Sequence, residues 1–298
     1  MTTVSSCVVC GGRISVRRKG SVAPFLAHRI WNRPAFPIDL VRCEQCDFMF
    51  FNPRLDPDEE GRLYSQYRSE EYQRMRHSTE PWYTKRFNAA LSKPEFMQTR
   101  RARLSEVLTR HLAGRPISNV LDFGGSRGAL VRGLIPGAKP YVYDISAVTP
   151  EPGVERAADL AACRVQEFDL ILNSNVLEHV AYPRVLLEQI RSVASDQTLL
   201  FIEVPFEFPF SRELVVRRIV QLGVLLAALP SIGLSLAGPR GLCLMHEHVN
   251  YFGAKSLQAL MTACGWSVIA SDSYGLSQGP SGGGIMGWCL AKVSSATG

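Results

Sequence analysis

From Ile117 onward the sequence alternates short apolar runs with amphipathic stretches, and this alternation restricts the fold more than any other feature. Strands are predicted at Asn119–Phe123, Tyr141–Asp144, Asp169–Asn173, Thr198–Val204, Trp266–Ser271 and Ile285–Ala291. Helices are predicted around Ala129–Leu134, Pro183–Ala194 and Ser256–Cys264. Near-continuous apolar strands separated by helices call for a mostly parallel α/β sheet covered on both faces. Upstream the pattern differs. Residues 1–56 are rich in Cys, Pro, Arg and aromatics, with strand-like runs only at Ile38–Val41 and Phe48–Phe51, so this segment is expected to need a staple. Residues 57–116 read as a helical linker or lid: Pro57 and the acids Asp58, Glu59 and Glu60 form a start signal, and Leu104, Val107, Leu108 and Leu112 share one helix face. Residues 117–298 then form the α/β domain, with an apolar insertion at about 207–245.

Two CxxC pairs, Cys7/Cys10 and Cys43/Cys46, lie in the front segment. A CxxC turn points two thiolates at one centre, and two such turns complete a closed tetrahedral Zn2+ site. The metal is expected to be structural, holding a module that is too small to fold unaided. Paired thiols of this kind also point to a reducing compartment, and MTTVSSCVVC offers no charged region leading into an apolar stretch, so a cytoplasmic chain is expected. Residues 1–118 hold 20 Lys/Arg against 12 Asp/Glu, while the rest of the chain is slightly acidic. That excess is scattered, which suits an arginine-rich solvated surface better than a nucleic-acid groove.

The segment Asp122-Phe123-Gly124-Gly125-Ser126-Arg127-Gly128 directly follows a strand and is expected to open a helix. Glycines at such a turn let the backbone approach a ligand closely, and a helix N-terminus presents free N–H groups. Asp144 ends the next strand, where an acid either holds a ribose diol or caps a helix. The order of these features resembles class I S-adenosylmethionine-dependent methyltransferases, whose first motif is D-x-G-x-G-x-G; here Ser126 stands in place of the middle glycine. The run Phe168-Asp169-Leu170-Ile171 through Val176-Leu177-Glu178-His179-Val180 is similar to that family's fourth-strand signature. The resemblance implies a Rossmann-like, seven-stranded sheet behind a small zinc module and a helical lid. It also implies a cofactor site in which Asp122, Gly124, Gly125 and Gly128 form the loop, Asp144 binds the ribose, Asp159 and Leu160 flank the adenine, and Asn173 lies beside the methyl group.

The segment Leu244-Met245-His246-Glu247-His248-Val249-Asn250-Tyr251-Phe252 places three ionisable groups in a row; its spacing is not HExxH, so it is no zinc-protease helix. It resembles the "HEH…YF" element of sugar C-methyltransferases, which also carry a four-cysteine zinc module and continue into a further C-terminal domain, whereas this sequence stops at Gly298. The resemblance implies that Glu247 and His248 deprotonate the acceptor with help from a front-region tyrosine among Tyr64, Tyr67 and Tyr72. The acceptor expected is a small molecule, a nucleotide- or lipid-linked sugar. Two other readings are an O-methyltransferase acting on another hydroxyl and a non-catalytic, cofactor-sensing zinc-knuckle protein. Nucleic acid is not expected as a substrate, because Asn173-Ser174-Asn175-Val176 replaces the asparagine-proline-aromatic motif of base methylases. Residues 219–239 carry no charge, and their place between two strands of one sheet points to a helical hairpin or lid, either buried or dimerising or dipping into a membrane surface, and not to a span.

Overall fold

The computed structural model describes residues 1–67, 69–90, 94–112, 114–146, 148–279 and 282–294; positions 68, 91–93 and 113 of the expected helical span fall outside them. The elements begin with β1 (Ile14–Val22), α1 (Pro24–Trp31), β2 (Pro37–Cys43), β3 (Met49–Asn52), α2 (Pro57–Tyr64), α3 (Glu70–Thr79), α4 (Lys85–Ala90) and α5 (Pro94–Leu112). Next come β4 (Asn119–Phe123), β5 (Lys139–Tyr143), β6 (Glu155–Arg156), α6 (Leu160–Val165), β7 (Leu170–Ser174), α7 (Pro183–Ser192) and β8 (Leu199–Pro205). The remainder is α8 (Arg212–Ala228), α9 (Pro230–Ser235), β9 (Leu244–Met245), β10 (Asn250–Tyr251), α10 (Ala254–Ala263), β11 (Trp266–Gly279) and β12 (Gly282–Val293). The chain forms two compact units, and they do not follow the three consecutive segments expected. One unit comprises residues 1–91, 178–181 and 207–253; the other comprises 92–177, 182–206 and 254–298.

The second unit is the α/β body. Its seven strands run in the order β11-β12-β8-β7-β4-β5-β6. Strands β4 to β8 of that sheet are parallel, and β12 inserts antiparallel to both β8 and β11. The central strands have no solvent face: Leu170, Ile171, Leu172, Leu200, Phe201 and Ile202 are all fully buried, as doubly covered strands require. The predicted α5 face is realised, since Leu104, Val107 and Leu108 join Val120, Leu172, Phe201, Trp288 and Leu290 in one core cluster. Burying each such side chain contributes about 1.5–3 kcal/mol. One expectation fails. Ala129–Leu134 is a series of turns, not a helix. Gly128 and Gly133, at φ +72° and +65°, bracket the run in left-handed conformations, and Pro136 follows. No helix N-terminus therefore backs the glycine loop.

The first unit is built on a five-stranded sheet, β10-β3-β2-β1-β9. The front segment thus has more of a core than its sequence suggests: Phe25, Leu26, Leu40, Phe48 and Phe50 are fully buried. The sheet is completed from far downstream, with β9 parallel to β1 and β10 antiparallel to β3. Because β9 and β10 occupy opposite edges, the His246–Val249 loop must run from one side of the sheet to the other. The Asp56 side chain and Glu59 form a reciprocal capping box that starts α2. The Arg54 side chain, 1% exposed, donates to the carbonyls of Phe51, Val249, Val180 and Ala181 and to Asn250 Oδ1. The apolar insertion forms the α8–α9 hairpin, where a Cβ on Gly233 would lie 2.7 Å from the backbone nitrogen of Leu226. No helix of the described residues is long and apolar enough to cross a membrane.

Candidate cofactor and proton-handling sites

In the α/β unit, β4 delivers Asp122 directly into the glycine turn. A Cβ on Gly125 would sit 2.1 Å from the Asp122 carboxyl carbon, so only glycine allows the loop to fold back over this side chain. Gly124, at φ +82°, donates its N–H to the Tyr143 carbonyl at 2.7 Å, tying the turn to β5. Ser126 takes the left-handed conformation, φ 55°, that a glycine would adopt more easily. Its N–H donates to Asp144 Oδ2 at 2.7 Å, and the other Asp144 oxygen accepts from Ser146 N–H at 2.7 Å. Asp144 therefore fixes the loop from the end of β5. Asp159 caps α6 by accepting from Ala162 N–H at 2.7 Å, and Leu160 opens that helix.

At the end of β7, the buried Asn173 side chain donates to the Phe123 carbonyl at 2.8 Å. Its own Oδ1, Asp122 Oδ2 and Asn175 Oδ1 are buried acceptors with no hydrogen-bond partner among the described residues. Interiors rarely leave such atoms unpaired, and an unpaired buried acceptor suits a ligand carrying an ammonium group. Burial pushes the Asp122 carboxyl up to about 7, with Asp144 and Glu203 adding to the shift and Arg100 opposing it. Beside it lies a network that the sequence did not signal. Arg100 pairs with the buried Glu203 carboxylate at 2.9 Å, and that carboxylate also accepts from the hydroxyls of Ser174 and Tyr274.

The His-Glu-His loop belongs to the other unit, and its three members have different partners. His246 Nε2 pairs with Glu80 Oε1. The Glu247 carboxylate accepts from the Tyr72 hydroxyl and from Arg76 at 2.8 Å. Burial opposes its charge, but Arg76, His246 and Tyr72 hold it ionised, well below the usual carboxylate range. Of the three candidate tyrosines, Tyr72 thus reaches Glu247, while Tyr64 stands edge-on to His179 with ring centroids 6.1 Å apart. His248 Nδ1 faces Glu207 Oε2 at 2.8 Å. Burial lowers the basicity of His248, yet Glu207, with Glu178 and Glu247, overrides it and raises the imidazole to about 9. His179 behaves oppositely: burial and the neighbouring His248 lower it to about 3, so it is neutral. Its Nδ1–H donates to the Glu247 carbonyl at 3.0 Å, leaving Nε2 as an acceptor. The two imidazoles lie 4.8 Å apart, nearly perpendicular. The sequence carries no signal for Glu207, which is 41 residues from its partner with no local motif joining them, whereas His179 stands on the Leu-Glu-His-Val turn, where a positioning role is expected.

In the same unit the four cysteines converge. Cys7 and Cys46 Sγ are 3.7 Å apart, and Cys10 and Cys43 Sγ are 3.5 Å apart. All four sulfur atoms lie within 4.8 Å of one another. Tetrahedral coordination with Zn–S bonds of ~2.3 Å requires S···S separations of ~3.8 Å, so the donor set fits the ion. Backbone N–H groups of Val9, Gln45 and Cys46 point at Cys7 or Cys43 sulfur at 3.4 Å, the polarity that stabilises thiolate ligands.

The Glu207–His248 pair makes stability depend on pH. The imidazole is raised above its ordinary value of 6.5, so its contribution is full below that value and is lost as pH climbs through about 9. Denaturant titrations from pH 7 to 10 should show this decline in the native protein. Glu207→Gln should lower stability at neutral pH and flatten the decline; an unchanged slope would sink the assignment.

A methyltransferase-domain family model matches residues 94–271, more than half of the 298-residue chain. Among solved structures, the chain is similar to the Burkholderia thailandensis 1,6-didemethyltoxoflavin-N1-methyltransferase, solved with S-adenosylhomocysteine, at 17% identity over 87% of this chain and 96% of that one, TM-score 0.48. It is also similar to magnesium protoporphyrin IX methyltransferase from Synechocystis PCC 6803 (17% identity, 70% of this chain, 87% of that one, TM-score 0.43). A third is the N-methyltransferase NodS from Bradyrhizobium japonicum WM9 (14% identity, 70% of this chain, 97% of that one, TM-score 0.41). No curated protein matches the chain. The chain belongs to the methyltransferase-domain family.

Proposed function

We propose that the enzyme methylates a nucleotide- or lipid-linked sugar, with His248 accepting the proton that the acceptor atom must lose. The observation that carries this reading is the Glu207–His248 dyad beside a neutral His179. S-adenosylmethionine supplies an electrophilic methyl carbon on a sulfonium. An uncharged hydroxyl or carbon acid attacks it well only when its proton is removed. Glu207 orients the imidazole and stabilises its charged form, as a carboxylate does for a histidine base. Glu247, held ionised by Arg76 and Tyr72, fixes the tautomer of His179 through its backbone carbonyl and is a positioning residue. Support for a sugar acceptor comes from the "HEH…YF" segment joined to a four-cysteine module, the pairing that sugar C-methyltransferases carry. Proton removal serves O- and C-methylation equally, and the product's methyl resonance distinguishes them.

For the cofactor, we assign its amino group to the unpaired acceptors of Asp122, Asn173 and Asn175, its ribose to Asp144 and its adenine to Asp159 and Leu160. Four thiolates of Cys7, Cys10, Cys43 and Cys46 hold a structural Zn2+, which supplies cross-linking and no chemistry.

Asp122 gives a test of the cofactor assignment. Its carboxyl is raised above the ordinary value, so ionisation near pH 7 opposes folding unless an ammonium group pairs with it. Calorimetric titration with S-adenosylhomocysteine should therefore show tighter binding as pH rises from about 6 to 8. Asp122→Asn should bind more weakly with a flat profile; an equally steep profile would count against the role. For catalysis, methyl transfer from labelled cofactor to a panel of nucleotide sugars should rise with pH toward about 9. His248→Asn should lower turnover by ~10²–10⁴ while leaving cofactor affinity intact. Transfer to simple phenols but to no sugar would overturn the acceptor class. Metal analysis of the purified protein should find one zinc per chain, lost in Cys10→Ser/Cys43→Ser; native protein without zinc refutes that assignment.

A further inference from the structure

The α8–α9 hairpin turns an apolar face outward, and the reading of the active site does not use it. On α8, Val216, Ile219 and Val220 are 51%, 54% and 60% exposed, and Val224 and Leu226 follow on the same side. At about 100° per residue, positions 216, 219, 220, 223, 224 and 227 form one continuous stripe along the helix. Leu234 of α9, 67% exposed, extends it. A core-facing helix has its apolar side buried, so this one has the opposite orientation: of all α8 residues only Leu225 is fully buried. Scattered exposed apolar residues are ordinary, but a contiguous stripe of this kind marks a surface that something covers.

Charge placement identifies the cover. No acidic or basic residue occurs from Ile219 to Pro239. Arginines stand at both ends of this uncharged run: Arg212, Arg217 and Arg218 before it and Arg240 after it. At the root of the hairpin, Arg17, Arg18, Phe208 and Phe210 line an open concavity of about 360 Å³, with the Arg18 guanidinium 5.0 Å from the centre of the Phe210 ring. Two arginines and two aromatic rings around one concavity, one of the guanidiniums over a ring, suit a phosphodiester headgroup whose acyl portion continues beside the rings. Glu213 is the acid in the first turn of α8. An apolar stripe without charges, flanked by arginines and aromatics, has the layout of an interfacial helix and not of a subunit contact, where a complementary acidic surface would be expected. At 1.5 Å per residue α8 is about 25 Å long, enough to lie along a bilayer surface.

We propose that the α8–α9 hairpin docks this enzyme on an anionic phospholipid surface, with the α8 stripe entering the headgroup–acyl boundary and Arg17 and Arg18 binding lipid phosphate. The inference stands apart from the acceptor assignment, because it uses no active-site residue.

Flotation of the full-length protein with vesicles tests it. The protein should float with vesicles of equal parts phosphatidylcholine and phosphatidylglycerol, and less with phosphatidylcholine alone. Val220→Glu/Val224→Glu should weaken partition at least about tenfold, with an unchanged thermal transition showing that the fold persists. Arg17→Ala/Arg18→Ala should remove most of the preference for the anionic vesicles and its sensitivity to salt. Absence of flotation overturns the proposal. So does a solution dimer, by sedimentation equilibrium, that Val220→Glu/Val224→Glu converts to monomer, since the face would then belong to a second copy of the chain. Equal partition into both vesicle types overturns the headgroup assignment.

Discussion

The guanidinium of Arg54 is the knot of the unit that carries the ionisable cluster. It is buried and donates to four carbonyls and one side-chain oxygen drawn from three separate stretches of chain, around residues 51, 180 and 250. A charge in this position is tolerable only because almost every donor finds an acceptor. Lysine could not substitute, having one compact head instead of a planar fork of donors. Removing the side chain would leave several buried carbonyls unpaired, at ~1–3 kcal/mol for each group. The short excursion 178–181 brings Glu178 and His179 into this unit, and the 249–250 end of the His-Glu-His loop is fixed by the same side chain. The ionisable groups of this unit are therefore positioned by the fork of a buried arginine.

Within that frame, similar side chains acquire different characters from their neighbours. His179 and His248 lie 4.8 Å apart, yet one is kept neutral and the other charged. Burial acts against charge on both. The difference is a carboxylate at 2.8 Å for His248 and a carbonyl at 3.0 Å for His179. Two adjacent imidazoles cannot both be charged without repulsion, so charge on His248 helps to keep His179 neutral. The carboxylates differ in the same way: Glu247 stays ionised because Arg76, His246 and Tyr72 answer its charge, whereas burial, which the Arg100 charge only partly offsets, pushes Asp122 toward its neutral form.

The α/β unit was legible in the sequence because its signals are local. Near-continuous runs such as Leu170-Ile171-Leu172 announce doubly covered strands, and Asp122-Phe123-Gly124-Gly125 announces a tight turn at a strand end. The same locality explains the failures. Ala129–Leu134 has helical composition, but Gly128 and Gly133 adopt left-handed conformations that no propensity average registers. β1 and α1 went unread, since ISVRRKGSV lacks clean alternation and its outer partner, β9, comes more than 200 residues later. The cysteine spacing predicted the convergence of four sulfur atoms, whereas Glu207 gave no hint of its pairing with His248. Motifs reveal what a segment does by itself; partners brought together by the fold stay invisible until the topology is known.

That topology also sets an order of events during synthesis. β1, β2 and β3 emerge from the ribosome within the first 52 residues, but the strands that flank them, β9 and β10, end only at Tyr251. At ~5–20 residues per second, the three-stranded ribbon waits ~10–40 s with both edges open. Unpaired edges invite pairing with other chains. The ribbon has one constraint available early, because all four cysteines and the turns that hold them lie before residue 47. The metal proposed for these four thiolates, captured at that stage, would hold the nascent ribbon in register until the downstream strands arrive.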